Sequence, residues 1–216
     1  MDPSGIVGGI RNKTGSNYRS GKSKYFIVEA CEYKRNFRFL EPKVLVITNL
    51  EYEHVDFYKD LNHVQEAFRE LALKVPEDGI IISAKDINLK PVVQDLKVPV
   101  INYENHIGLN LKLKQPGLHN RQNAAAASAV ADFLEIDKET INQALSNFTG
   151  TNRRFEYKGK CNGSDVYDDY AHHPTEIIAS IKGAREMYPD KELMVVFQPH
   201  TKHLSLIHIS EPTRPY

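Results

Sequence analysis

Acids, imidazoles and a phenol crowd into Tyr167-Asp168-Asp169-Tyr170-Ala171-His172-His173-Pro174-Thr175-Glu176, between an apolar strand pattern and a proline-started helix pattern. Loops beyond the carboxyl ends of strands are where open α/β sheets place ligand-handling groups. Asp169 could accept a ribose hydroxyl there, while one imidazole could meet an anionic or amine group of a substrate. Adjacent side chains on an extended backbone diverge, so His172 and His173 are poorly placed to share one metal ion. Pro174 suits the first turn of a helix, whose amino end favours anions.

Three further junctions repeat the pattern. Tyr25–Val28 runs into Glu29-Ala30-Cys31-Glu32, Val44–Thr48 into Asn49-Leu50-Glu51-Tyr52-Glu53-His54, and Leu193–Phe197 into Gln198-Pro199-His200. Each reads as a buried strand ending in reactive groups. Magnesium takes oxygen ligands and needs only one or two carboxylates beside phosphate oxygens, so Glu29 and Glu32 read either as candidate ligands or as a solvated acidic turn. His54 reads as a hydrogen-bonded loop residue or, paired with Glu29 in one crevice, as a metal ligand supported by carboxylates. In Gly117-Leu118-His119-Asn120-Arg121-Gln122-Asn123, Asn120 is expected to cap the helix that the following alanine run drives. Asn120 and Asn123 share a face and offer donor and acceptor together, which suits the edge of an adenine ring. Arg153-Arg154 is a forked phosphate clamp or surface decoration. Ser20-Gly21-Lys22-Ser23 is not a P-loop: the position five residues before Gly21 holds Ser16, and the segment precedes a strand instead of opening a helix.

The elements that must position these groups alternate. Strands are expected at 25–28, 44–48, 80–83, 98–102 and 109–114, with helices at 60–74, 121–133 and 138–147, then strands at 155–159, 165–168 and 193–197 around a helix at 174–187. The alternation means an α/β fold. Residues 2–24 are rich in Gly, Ser, Asn and Lys and read as loop. A boundary falls near 149–153, giving domains over 1–149 and 150–204; residues 205–216 read as an artefactual tail and carry no fold argument.

Lysine plus arginine balances aspartate plus glutamate at 28 each, so no basic field exists to hold a nucleic acid by counterion release. No apolar run approaches the ~20 residues that span a bilayer. Two distant cysteines without CxxC spacing argue for a reducing compartment, and the cytoplasm is the expected location.

Taken in order, Glu29-Ala30-Cys31-Glu32, Thr48–Asp56, Gly117–Ala124, Gly150-Thr151-Asn152-Arg153-Arg154-Phe155 and Asp168–Glu176 resemble the Mur ligases, over about residues 2–200. The resemblance implies part of a central P-loop-type ATPase domain, without its phosphate loop, followed by the start of a Rossmann-like domain. It implies ATP and Mg2+ as cofactors and amide formation through an acyl phosphate in peptidoglycan synthesis. Within the family the Asp-Asp-Tyr-Ala-His-His-Pro run is most similar to the branch that adds L-alanine to UDP-N-acetylmuramate. A branch that attaches a recycled peptide, or a piece that binds nucleotide without catalysis, are the alternatives. By carry-over, Glu29 and His54 hold a metal, His119, Asn120 and Asn123 line the adenine site, Arg154 touches ATP, and Asp169 meets the ribose. Tyr170 and His172 then face the muramoyl or amino-acid substrate as the catalytic pair.

Overall fold

Ile80-Ile81-Ile82 anchors the larger part of the molecule because an uninterrupted β-branched run suits a strand covered on both faces. A computed structural model describes residues 1–106 and 113–198. In it β4 (Val44–Ile47), β5 (Ile80–Ser83) and β6 (Val100–Asn102) form a parallel sheet with β5 in the middle. Side chains alternate across it. Ile81 faces a core with Val64, Ala67 and Leu71 of α1 (Leu61–Ala72), while Ile80 and Ile82 face one with Ala125, Ala126 and Ala129 of α3 (Leu118–Phe133). The stripe Val64, Ala67, Leu71 is the one the sequence periodicity marks, and Asp60 starts α1 by accepting the His63 amide at 2.8 Å.

Two compact units emerge. One comprises Met1–Gly8, Asn17–Lys112 and Arg121–Asn147; the other comprises Gly9–Ser16, Leu113–Asn120 and Phe148–Tyr216. The first also contains the short α2 (Lys90–Val93) and α4 (Lys138–Asn147). The second contains a hairpin of β7 (Glu156–Cys161) and β8 (Ser164–Asp168), paired antiparallel, and α5 (Pro174–Met187). No helix among the described residues is long and apolar enough to cross a membrane.

Four expectations need correction. Residues 2–24 are not loop: β1 (Ser4–Arg11) and β2 (Ser16–Arg19) lie in a sheet ordered β2-β1-β3, with β3 (Phe26–Val28) parallel to β1. The glycines that disguised β1 are there for close approach, since a Cβ on Gly8 would lie 3.0 Å from a Glu29 carboxylate oxygen and one on Gly5 3.3 Å from the Ile27 carbonyl. Second, β3 is exposed along its whole length, not buried, because apolarity buries a strand only where another layer packs on it. Third, residues 193–197 join no ladder among the described residues, and Val196 is 92% exposed, so their apolar run has no described sheet neighbour to make it a strand. Fourth, α3 begins at Leu118, so Asn120 sits in its first turn and does not cap it; its amide turns back to the Pro116 carbonyl at 2.7 Å. The expected strand 109–114 mostly, and the tail 205–216 entirely, lie outside the described residues.

Tyr103 ties the sheet's end to its core. It is 1% exposed and donates its hydroxyl to the Thr48 carbonyl at 2.6 Å. Tyr103→Phe is expected to cost about 1 to 1.5 kcal/mol, read as a lowered urea midpoint at unchanged slope.

Candidate functional site

Past the end of β4, the loop carrying Glu53 and His54 folds against the segment that follows β3. His54 adopts a left-handed backbone with φ of 52°. Its carbonyl accepts the amides of Phe57 at 2.8 Å and Tyr58 at 2.9 Å, and this local turn holds the conformation. The His54 ring lies with its Nε2 3.1 Å from Glu32 Oε1 and packs against Tyr33 at a centroid distance of 5.0 Å. Tyr33 in turn donates to Asp56 at 3.0 Å, and the buried Tyr58 donates to the Glu32 carbonyl at 2.6 Å. Burial chiefly, with the Glu32 charge adding, raises the Tyr58 hydroxyl above its ordinary value, so it stays a donor.

One donor atom each from Glu32, Glu53 and His54 lies within 4.8 Å of the others. Two carboxylates and an imidazole, all half-buried, suit a divalent ion whose remaining positions are taken by water or phosphate oxygens. His54 lies in this cluster. The Glu29 carboxylate accepts the Gly8 amide at 2.7 Å, and among the described residues Glu32 and Glu53 are the acids grouped with His54. The left-handed turn is what sequence reading missed, because it breaks the alternation that keeps neighbours such as Glu53 and His54 apart on a strand.

A separate group forms in the second unit. Tyr170, His172 and Asp169 line a cavity of about 520 Å³ together with Arg153, Ser180 and Leu193. Asp169 accepts from the Ala171 amide at 3.0 Å and from the Ser180 hydroxyl at 2.7 Å, which pins the loop to α5. Tyr170 sits edge-on to His172, with ring centroids 5.1 Å apart, and under the Arg153 guanidinium at 4.7 Å. Arg154 pairs with Glu176 at 3.5 Å. Glu176, which residue type alone does not single out, also accepts the amides of His172 at 3.1 Å and His173 at 3.3 Å. Its position in the first turn after a proline was the available signal.

Burial alone would push the Glu176 carboxyl up, but the amides of His172 and His173, with the nearby His172 and Arg154 side chains, outweigh it and hold it below the ordinary glutamate value. A carboxyl lowered in the folded state stabilises above its unfolded value, and that contribution fades as pH falls through the folded value. The melting-temperature gap between the protein and Glu176→Gln is thus expected to be full above about pH 5 and to close in stronger acid.

His119 and Asn120 meet each other, Asn120 Nδ2 lying 3.0 Å from His119 Nε2. Gly117 makes room for them: its φ is 93°, and a Cβ there would lie 2.8 Å from the His119 ring. Asn123 is exposed on α3.

Residues 11–106 match the Mur ligase middle domain and residues 153–206 the Mur ligase glutamate ligase domain, in that order. The chain belongs to the Mur ligase family. It is 40% identical over 228 residues to the UDP-N-acetylmuramate–L-alanine ligase of Clostridium tetani, and 38% identical to that of Clostridium perfringens. Each alignment takes in 93% of this chain and 50% of the relative, so the chain spans about half the length of the curated relatives it matches. Among solved structures, the UDP-N-acetylmuramate-alanine ligase of Thermotoga maritima superposes with a TM-score of 0.74 at 27% identity, over 92% of this chain and 51% of that one. A murein peptide ligase from Psychrobacter arcticus gives 0.66 at 25% identity, over 93% and 52%.

Proposed function

We propose that this chain supplies the metal-holding and amine-accepting parts of a cytoplasmic, ATP-dependent ligase that joins L-alanine to UDP-N-acetylmuramate in peptidoglycan synthesis. The observation that carries the reading is that curated alanine ligases align with 93% of the chain, with both family domains in series. The Glu32–Glu53–His54 cluster and the Tyr170–His172 cavity are the two kinds of site such a reaction needs.

A carboxylate is a poor electrophile. In the reaction proposed, an oxygen of the muramoyl carboxylate attacks the γ-phosphorus of ATP and ADP leaves, giving an acyl phosphate. The alanine amine then attacks the acyl carbon, loses a proton, and phosphate departs with the carboxylate oxygen. A bound magnesium ion supplies neutralisation of phosphate charge. Glu32, Glu53 and His54 would hold that ion, and Glu29, the acid the family resemblance pairs with His54, has its carboxylate on the Gly8 amide. In the second unit Arg154 would meet ATP, Asp169 its ribose, and Tyr170 and His172 the amino-acid or muramoyl group. His119, Asn120 and Asn123 remain the proposed adenine contacts. Orientation is the main contribution of such side chains, since holding reactants in line removes much of the entropic barrier.

The test joins this chain to the remaining half of the Clostridium tetani relative and measures phosphate release. Release that needs UDP-N-acetylmuramate, L-alanine and MgATP together is expected. A folded, nucleotide-binding hybrid that releases none would refute the reading, and release driven by a peptide in place of alanine would favour the peptide-adding branch.

A further inference from the structure

We infer that Glu176 is a positioning residue: together with the Tyr170 carbonyl it fixes the His172 loop and holds the imidazole proton on Nδ1, so that the substrate amine meets Nε2 as an acceptor. The inference rests on the reading of the second-unit cavity as the place where the amine arrives.

Glu176 does more than close a helix end. A glutamate at the third position of a helix ordinarily reaches back to one backbone N–H. Here one carboxylate oxygen, Oε2, takes two, from His172 at 3.1 Å and His173 at 3.3 Å. The same oxygen lies 3.5 Å from His172 Nδ1, and Oε1 lies 3.5 Å from Arg154 Nη1. The loop backbone, the imidazole and the arginine carried over as an ATP contact are thus gathered on one side chain. Pro174 sets the first turn of α5 and fixes where that side chain starts.

The imidazole geometry decides the proton's place. Nδ1 is 2.9 Å from the Tyr170 carbonyl, a hydrogen-bonding distance, and 3.5 Å from the Glu176 carboxylate. Both facing groups are acceptors, and one carries a full negative charge. A lone pair on Nδ1 would be repelled by both, whereas an N–H there donates to the carbonyl and lies in the carboxylate's field. A neutral ring with its proton on Nδ1 has Nε2 as its acceptor nitrogen, the arrangement by which an outer partner sets a histidine's reactive face. His172 lines the cavity, so the ring can take a hydrogen bond from an incoming amine that must shed a proton as it attacks. The opposite tautomer would aim a donor at a donor.

The experiment reads the tautomer directly in the intact chain, by nitrogen-15 shifts of the His172 ring at a pH at which imidazole is neutral. Nδ1–H is expected to dominate in the protein. Glu176→Ala is expected to lower the ratio of Nδ1–H to Nε2–H at His172 by roughly tenfold, and Glu176→Gln, which keeps an acceptor but not the charge, by less. An unchanged ratio in a folded Glu176→Ala variant would overturn the inference and leave Glu176 as a helix cap alone, whatever its melting temperature. Should the alanine variant not fold, an unchanged ratio in Glu176→Gln would overturn it equally. Neither ATP nor alanine is present in this measurement, so its failure is distinct from the failure of the hybrid to release phosphate.

Discussion

Ile81→Ala is expected to destabilise the first unit by about 2 to 5 kcal/mol, which multiplies its unfolded fraction by a factor between tens and thousands. Ile81 is fully buried in the central strand, with β4 hydrogen-bonded on one side and β6 on the other. Its side chain packs in the cluster that also holds Leu45, Val64, Ala67 and Leu71. Three of these neighbours, Leu45, Val64 and Leu71, are branched strand or helix residues locked by their own backbone hydrogen bonds, so they cannot close a gap the size of three methyl-type carbons. Urea unfolding followed by circular dichroism checks this. A loss below 1 kcal/mol would mean that the β5 face does not carry the core.

His54→Ala is expected to weaken divalent-ion binding by at least tenfold to a hundredfold, the range that loss of merely supporting residues already produces. The three donors converge only because His54 is held in its left-handed turn, and removing the imidazole leaves two carboxylates that repel each other. Manganese, observed by electron spin resonance, is a suitable stand-in for magnesium because both take oxygen-rich octahedral sites. Glu32→Gln should act in the same direction, while Glu29→Gln, whose carboxylate is engaged with the Gly8 amide, should act less. The reverse order of the two glutamates would return the metal to the Glu29–His54 pair that the sequence first suggested.

How far the sequence could be read depended on which physical signal each element carries. The stripe Val64, Ala67, Leu71 and the alanine run from Ala124 announce their helices, since a 3.6-residue period and high helix propensity survive in one dimension. Pro174 marks the start of α5 to the residue. β1 was hidden, because Gly5 and Gly8 serve contacts with Ile27 and Glu29 that no local pattern records. Residues 193–197 look like a strand by composition, yet a strand is defined by its neighbour, and none pairs with it among the described residues.

The candidate sites divide along the same line. His54, Tyr170, His172 and Asp169 stand out by residue type at strand ends, and the structure sets them in an acid-rich cluster and a cavity. Glu53 and Glu176 do not stand out. Their roles come from a positive φ at the next residue in one case and from a shared carboxylate in the other, and both are three-dimensional facts.

Oxygen-18 placed in the muramoyl carboxylate tests the proposed chemistry most directly. With this chain joined to the remaining half of an alanine-ligase relative, and MgATP and L-alanine supplied, the phosphate released should carry one labelled oxygen for each amide bond formed, because the carboxylate oxygen becomes the bridge of the acyl phosphate. Phosphate free of label, released while the amide forms, would contradict it.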